Sequence, residues 1–279
     1  MESQENAIRA PPSWTGLARH WQAVATPLRP GPEDVCYVQR VVDALAAHVR
    51  RPRVLLLGVT PELSTLEYPA DANLVAVDSS PEMLRAWWTP PRGCGSLALL
   101  GRWQTLPVRD TSVDLVLADA SFCALPDVAG MRQVMARVAA AMRPGALLCG
   151  RTFVSPAQPE CLDDIVDDLR SGRAGSVHAT KWRVAMALQG DRDDGVALAR
   201  VLEAIEAAGE RCVLGARNGW SEASMATLDA YRGVSSRLCF PSLSRTRELF
   251  GEHFDELDCR LPGYELGDRC PMLLSRRRA

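Results

Sequence analysis

The chain has 279 residues, of which 47% are hydrophobic and 24% charged, with a formal net charge of -2. That length buries an ample core without disulfides, and the absence of a basic excess excludes the electrostatic footprint of a nucleic-acid-binding protein. Nine cysteines occur singly with no Cys-x-x-Cys, and the four histidines, His20, His48, His178 and His253, stand far apart, so reduced thiols and no protein-bound metal are expected.

The chain opens on the polar stretch MESQENAIRA, which lacks the apolar core of a signal peptide, and no later run approaches the roughly 20 apolar residues of a membrane span. A cytoplasmic location without a membrane partner is expected. Residues 1–52 read as an N-terminal helical cap, with Trp14 and Trp21 near helical spacing, a Pro/Gly-rich loop and an amphipathic helix from about Glu33. Residues 53–154 alternate between short Val/Leu-rich runs (RVLLLG, NLVAVD, SLALLG, VDLVLADAS, GALLCGRTFV) and helical stretches beginning near Pro61, Pro81 and Val128. Runs apolar on both faces and separated by helices predict a parallel sheet covered on both sides, a doubly wound α/β core. Over residues 155–242 the alternation gives way to helical stretches such as CLDDIVDDLR and VALARVLEAIEAAG, read as a helical lid insertion. Residues 243–279 return to a helix and two strands, ELDCRL and RCPMLLSRR, spaced for an antiparallel hairpin at the edge of the sheet. The SRRRA terminus reads as a solvated tail.

The first strand-to-helix turn is VLLLGVTPELS. A dinucleotide turn carries further glycines because the pyrophosphate needs bare backbone N–H groups at the helix N-terminus. Here Pro61 has no N–H and Glu62 adds negative charge, so a phosphate-bearing cofactor is disfavoured, while Thr60, Pro61 and Glu62 fit the N-cap and first two positions of a helix. Asp78 ends the second strand 20 residues after Gly58, about where an acid binds the ribose hydroxyls of an adenosine cofactor. The combination points to a nucleoside ligand without phosphate, and S-adenosyl-L-methionine (SAM) fits. Asp78 also reads as a turn residue ahead of the helix start at Ser80 and Pro81.

These segments, in this order, resemble the class I SAM-dependent methyltransferases: VLLLG, VAVDSSPEML, GRWQTLPVRDTSVDLVLADASFCALPD and MRPGALLCGRTFV. The resemblance implies a seven-stranded Rossmann-like sheet whose last strand is antiparallel. It implies SAM as cofactor, with Gly58 passing close to the methionine moiety, Asp78 on the ribose diol, and Ser79 and Met83 bordering adenine. Asp119, Ala120 and Ser121 would lie beneath the sulfonium. The chain departs from the family pattern at Leu56, where an acid is common. It departs again at Gly101, Arg102 and Trp103, where Gly-Asp-Ala is frequent. Arg102, Trp103 and Gln104 therefore become the expected adenine contacts, with plain core packing an equal reading for Trp103, and Thr60 joins the expected cofactor set.

Methyl transfer from a sulfonium proceeds by in-line displacement, so alignment and exclusion of water supply most of the catalysis. Asp119, His178 and Tyr231 are the candidate catalytic residues: a carboxylate at a strand end, a base for a hydroxyl or amine nucleophile, and an aromatic hydroxyl. Packing of Trp182 and Met186 with His178 and Lys181 turned to solvent is the plainer reading of HATKWRVAMAL. The insertion and the N-terminal segment occupy the places where small-molecule methyltransferases carry a substrate lid, so a small-molecule acceptor is expected. Two other readings stay open. One is a SAM-consuming reaction that releases methylthioadenosine, by cyclisation or aminocarboxypropyl transfer; the other is a scaffold without catalysis. The oligomeric state is not legible.

Overall fold

The computed structural model describes residues 12–279, with side chains from Thr15 onward. The polar N-terminal stretch and the Trp14 side chain lie outside the described residues.

Helix α1 (Pro12–His20) leads into α2 (Pro32–Ala46). Five parallel strands follow: β1 (Arg53–Leu57), β2 (Asn73–Asp78), β3 (Gly95–Leu100), β4 (Val113–Asp119) and β5 (Met142–Arg151). The crossovers are α3 (Pro61–Ser64), a single turn, then α4 (Pro81–Trp87) and α5 (Val128–Ala141). Ser80 and Asp127 cap α4 and α5 by accepting from the Met83 and Gly130 amides. Near the C-terminus come α11 (Leu243–Gly251), β8 (Phe254–Arg260) and β9 (Met272–Arg277). The sheet order is β3-β2-β1-β4-β5-β9-β8. Strand β9 runs antiparallel to both β5 and β8, which places it inside the sheet and leaves β8 at the edge.

The central strands are buried on both faces: Leu55, Leu56, Leu115, Val116 and Leu117 are fully excluded from solvent. One core cluster packs α5 and α11 against the sheet, and a second packs α2 and Trp21 against the opposite face.

Between β5 and α11 lies the insertion: α6 (Leu162–Ser171), α7 (Val177–Gln189), α8 (Leu198–Ala208), α9 (Arg211–Asn218) and α10 (Glu222–Ala226). Its own apolar core joins the sheet end through Cys123 and Phe153. It also contains a two-stranded ribbon, β6 (Val196–Ala197) with β7 (Arg237–Leu238), in a stretch with no strand pattern in its sequence. Two-residue strands are too short to show a period of two. Among the described residues no helix is long and apolar enough to cross a membrane.

Candidate functional site

In a doubly wound sheet the carboxyl ends of the strands open onto a crevice where the order reverses, here between β1 and β4. Gly58 leaves β1 with φ +98°, its amide bonded to the Val77 carbonyl at 2.9 Å. A side chain here would be strained, and its Cβ would stand 3.7 Å from Asp78 Oδ2 and 3.8 Å from the Trp103 ring. Glycine thus keeps open the space between those two residues. Asp78 accepts from the Ser80 amide at 2.7 Å. Burial in the cavity floor outweighs bonds from the Ser80, Val59 and Ser79 amides and lifts its carboxyl to about 6.

Beyond β3 the chain turns through Arg102, Trp103 and Gln104, all on the cavity wall with Ser79 and Met83. The Trp103 indole donates to the Val77 carbonyl at 2.8 Å, which fixes its ring beside β2. The Trp103 side chain packs against the core cluster and also lines the cavity.

Asp119 ends β4 and lines the cavity. Its carboxylate is not a free acid. Arg151, the last residue of β5, donates from Nε to Asp119 Oδ1 at 2.6 Å. The same guanidinium donates to the Pro27 carbonyl at 3.0 Å and the Tyr264 hydroxyl at 2.6 Å, and lies 3.5 Å from Asp34. The Tyr264 hydroxyl in turn donates to Asp34 at 2.9 Å. This buried cluster ties α2, the loop before it and the C-terminal segment to the ends of β4 and β5. Ala120 follows with φ +54°, and the Ser121 hydroxyl donates to the Leu57 carbonyl at 2.9 Å, joining the β4 exit to β1. Thr60 stands at the N-cap position of α3, but its side chain makes no capping bond and turns to Asp119 instead. Glu62 is neutralised by Arg29, whose Nε donates to Oε1 at 2.7 Å while the guanidinium lies over Trp21.

The cavity above this floor holds about 630 Å³, within the range of small-molecule sites. Its roof comes from the N-terminal segment: Leu17, Trp21, Val24 and Leu28. Its far wall comes from the insertion: Trp182, Leu198 and Tyr231, then residues 235–238, the last two of them β7. Trp182 meets Phe153 and Phe240 edge to face at 5.3 and 5.2 Å while lining the cavity. The Tyr231 hydroxyl makes no hydrogen bond among the described residues, and burial holds it firmly protonated.

The expectation for His178 is corrected. It does not line the cavity: its Nε2 donates to the Ala23 carbonyl at 2.8 Å, and Nδ1 is buried without a partner. Burial and the adjacent Lys181 push the ring down to about 4, so it is neutral but remote from any acceptor. The plainer reading, with His178 and Lys181 in solvent, fails as well, because they are 3% and 0% exposed. Lys181 donates to the Thr227 hydroxyl at 2.8 Å and stands 5.3 Å from the centre of the Tyr231 ring. Desolvation pushes its amine down to about 7. Sequence reasoning also missed Arg151, whose partners are distant in the chain, and the roof residues Leu17, Val24 and Leu28. Among the described residues no group of three His, Cys, Asp or Glu side chains is placed to hold a metal.

Residues 56–149 match a family model described as a methyltransferase domain. No curated protein matches the chain. Among solved structures, a putative zinc-dependent alcohol dehydrogenase from Rhodobacter sphaeroides is 12% identical, with 95% of this chain and 98% of that one covered at a TM-score of 0.54. The likeness is one of fold. A SAM-dependent methyltransferase from Methanosarcina mazei is 12% identical over 84% of this chain and 97% of that one, at a TM-score of 0.49. The N-methyltransferase NodS from Bradyrhizobium japonicum, in complex with S-adenosylhomocysteine, is 10% identical over 95% of this chain and 100% of that one, at 0.48. The matched residues span the strands that carry Gly58, Asp78 and Asp119 to the crevice, so the core of this chain carries a methyltransferase domain, a transferase domain whose cofactor is SAM.

Proposed function

We propose that this chain is a SAM-dependent methyltransferase that acts on a small molecule held with SAM in the cavity between sheet, insertion and N-terminal segment. One observation carries the reading: a single cavity of about 630 Å³ touches both the strand ends with Gly58, Asp78 and Asp119 and an aromatic wall that belongs to the insertion. A protein or nucleic-acid acceptor needs an open approach, whereas this space has a roof and a far wall.

In this reading Asp78 accepts from the ribose hydroxyls, and the faces of Trp103 and Met83 border the adenine with Arg102, Gln104 and Ser79 around its edge. Gly58, Thr60, Ala120 and Ser121 shape the space for the methionine portion. SAM supplies an electrophilic methyl group on a sulfonium. The chain's own part is alignment: Trp21, Trp182 and Tyr231 confine the acceptor and exclude water, which favours in-line attack without a dedicated base. Asp119, neutralised by Arg151, acts as a fixed dipole beneath the reacting atoms and does not collect a proton.

The test is to incubate the full chain with methyl-labelled SAM and a small-metabolite extract and to follow both products. Labelled small molecules appearing with S-adenosylhomocysteine support the proposal. Methylthioadenosine without a methylated product, or label on protein or nucleic acid alone, refutes it.

A further inference from the structure

The two halves of the cavity differ in charge. On the sheet side stand the carboxylates of Asp78 and Asp119, and on the insertion side no carboxylate of the described residues lines the wall. The wall's charged group is the cation of Arg237, beside the hydroxyls of Tyr231, Ser235 and Ser236. The Tyr231 hydroxyl makes no hydrogen bond to another described residue, whereas the unpartnered indole nitrogens of Trp21 and Trp182 are sealed from the cavity and offer nothing to a guest. Arg237 uses Nε and Nη2 on Asp194 and the Gly195 carbonyl. Its Nη1 carries no hydrogen bond to another described residue, and Asp194 is largely exposed, so its field is screened. Behind the Tyr231 ring the Lys181 amine is fully buried and has no carboxylate in ion-pair contact among the described residues. Buried donors without acceptors are rare in finished sites, and for want of a counter-charge burial drives the Lys181 amine toward its neutral form. Both are relieved if the guest brings the missing negative oxygen.

Resting on the proposed function, we propose that the acceptor is an oxygen acid, a carboxylate or an acidic phenol or enol on an apolar frame, which enters already ionised and is held by Tyr231, Arg237 and the Lys181 charge behind them. The absence of a base on this wall then has a chemical reason, since the proton has left before binding. The oxyanion attacks the SAM methyl carbon, forming an O–C bond, as the C–S bond breaks with its electron pair passing to sulfur. An anion and a sulfonium become a neutral ester or ether and neutral S-adenosylhomocysteine, and no proton moves. The acidic sheet side suits the cationic donor, and the donor-rich wall suits the anionic acceptor. In this arrangement Tyr231 and Arg237 touch the substrate, and Lys181 is a positioning residue acting through the Tyr231 ring.

The experiment divides a small-metabolite extract on ion exchangers at pH 7 into anion-retained, cation-retained and unretained fractions and offers each to the full chain with methyl-labelled SAM. Binding of SAM and S-adenosylhomocysteine is measured separately by calorimetry. Label is expected only from the anion-retained fraction. Arg237→Gln and Tyr231→Phe are each expected to raise KM for that fraction about 10-fold with KM for SAM unchanged, the scale of a lost hydrogen bond to a charged group. Lys181→Met is expected to raise the same KM, with Lys181→Arg restoring part of it. Label from the cation-retained or unretained fraction, or from none by a chain that binds SAM, overturns the acid assignment, as does an unchanged KM in all these variants. A chain that binds neither SAM nor S-adenosylhomocysteine overturns the proposed function instead.

Discussion

Arg151 Nε lies 2.6 Å from Asp119 Oδ1, with the two side chains 1% and 4% exposed. The pair joins the ends of β4 and β5 directly beside the cavity, and the guanidinium also serves Asp34, Tyr264 and the Pro27 carbonyl. Replacing Arg151 with Met leaves two buried carboxylates without their counter-charge. The expected loss is about 3–5 kcal/mol in urea unfolding. A loss below about 1 kcal/mol shows that the cluster contributes little to the fold.

Asp78→Asn keeps the shape of the cavity floor and removes its charge. The expected weakening of SAM binding is about 1–3 kcal/mol by calorimetry. Burial lifts the wild-type carboxyl to about 6, so wild-type affinity falls as pH drops through that value and the Asn variant shows no such step. Unchanged affinity at pH 7.5 in the variant contradicts the ribose assignment.

Gly58→Ala places a side chain at φ +98° and fills the gap between Asp78 and Trp103. The left-handed conformation costs about 1–2 kcal/mol, and the methyl group takes space from the proposed cofactor. A lower Tm together with weaker SAM binding is expected. A Tm loss with full affinity would place the cofactor elsewhere.

The buried bases give stability a pH dependence of known sign. The Lys181 amine sits near 7 in the fold against 10.5 in the open chain, so between those values only the unfolded state is protonated. Stability then rises with pH from about 7 to 10.5, by an amount on the order of 4 kcal/mol that Lys181→Met abolishes. His178 sits near 4 against 6.5. Its contribution is lost as pH falls from 6.5 to 4, on the order of 3 kcal/mol, and His178→Gln removes that acid loss. Urea unfolding of each variant beside wild type across these windows checks both signs.

Much of this architecture was legible because the central strands bury both faces and so read as unbroken apolar runs bounded by turn residues. Gly58 and Asp78 were legible together because their spacing measures one strand-helix-strand unit. His178 was misplaced for a physical reason: α7 is buried on nearly every side, so helical periodicity does not show which residues meet the cavity. Arg151 gave no local signal, since its partners Pro27 and Tyr264 are 124 and 113 residues away. The β6–β7 ribbon pairs segments some forty residues apart through two residues each, below the reach of pattern reading.

The roof of the cavity is fastened at two carbonyls, that of Ala23 to His178 in the insertion and that of Pro27 to Arg151 in the sheet. Neither His178 nor Arg151 lines the cavity, so the strap hangs from groups outside the space it covers. Cutting either bond is therefore expected to quicken ligand release with little change in equilibrium affinity, read by stopped-flow release beside calorimetry.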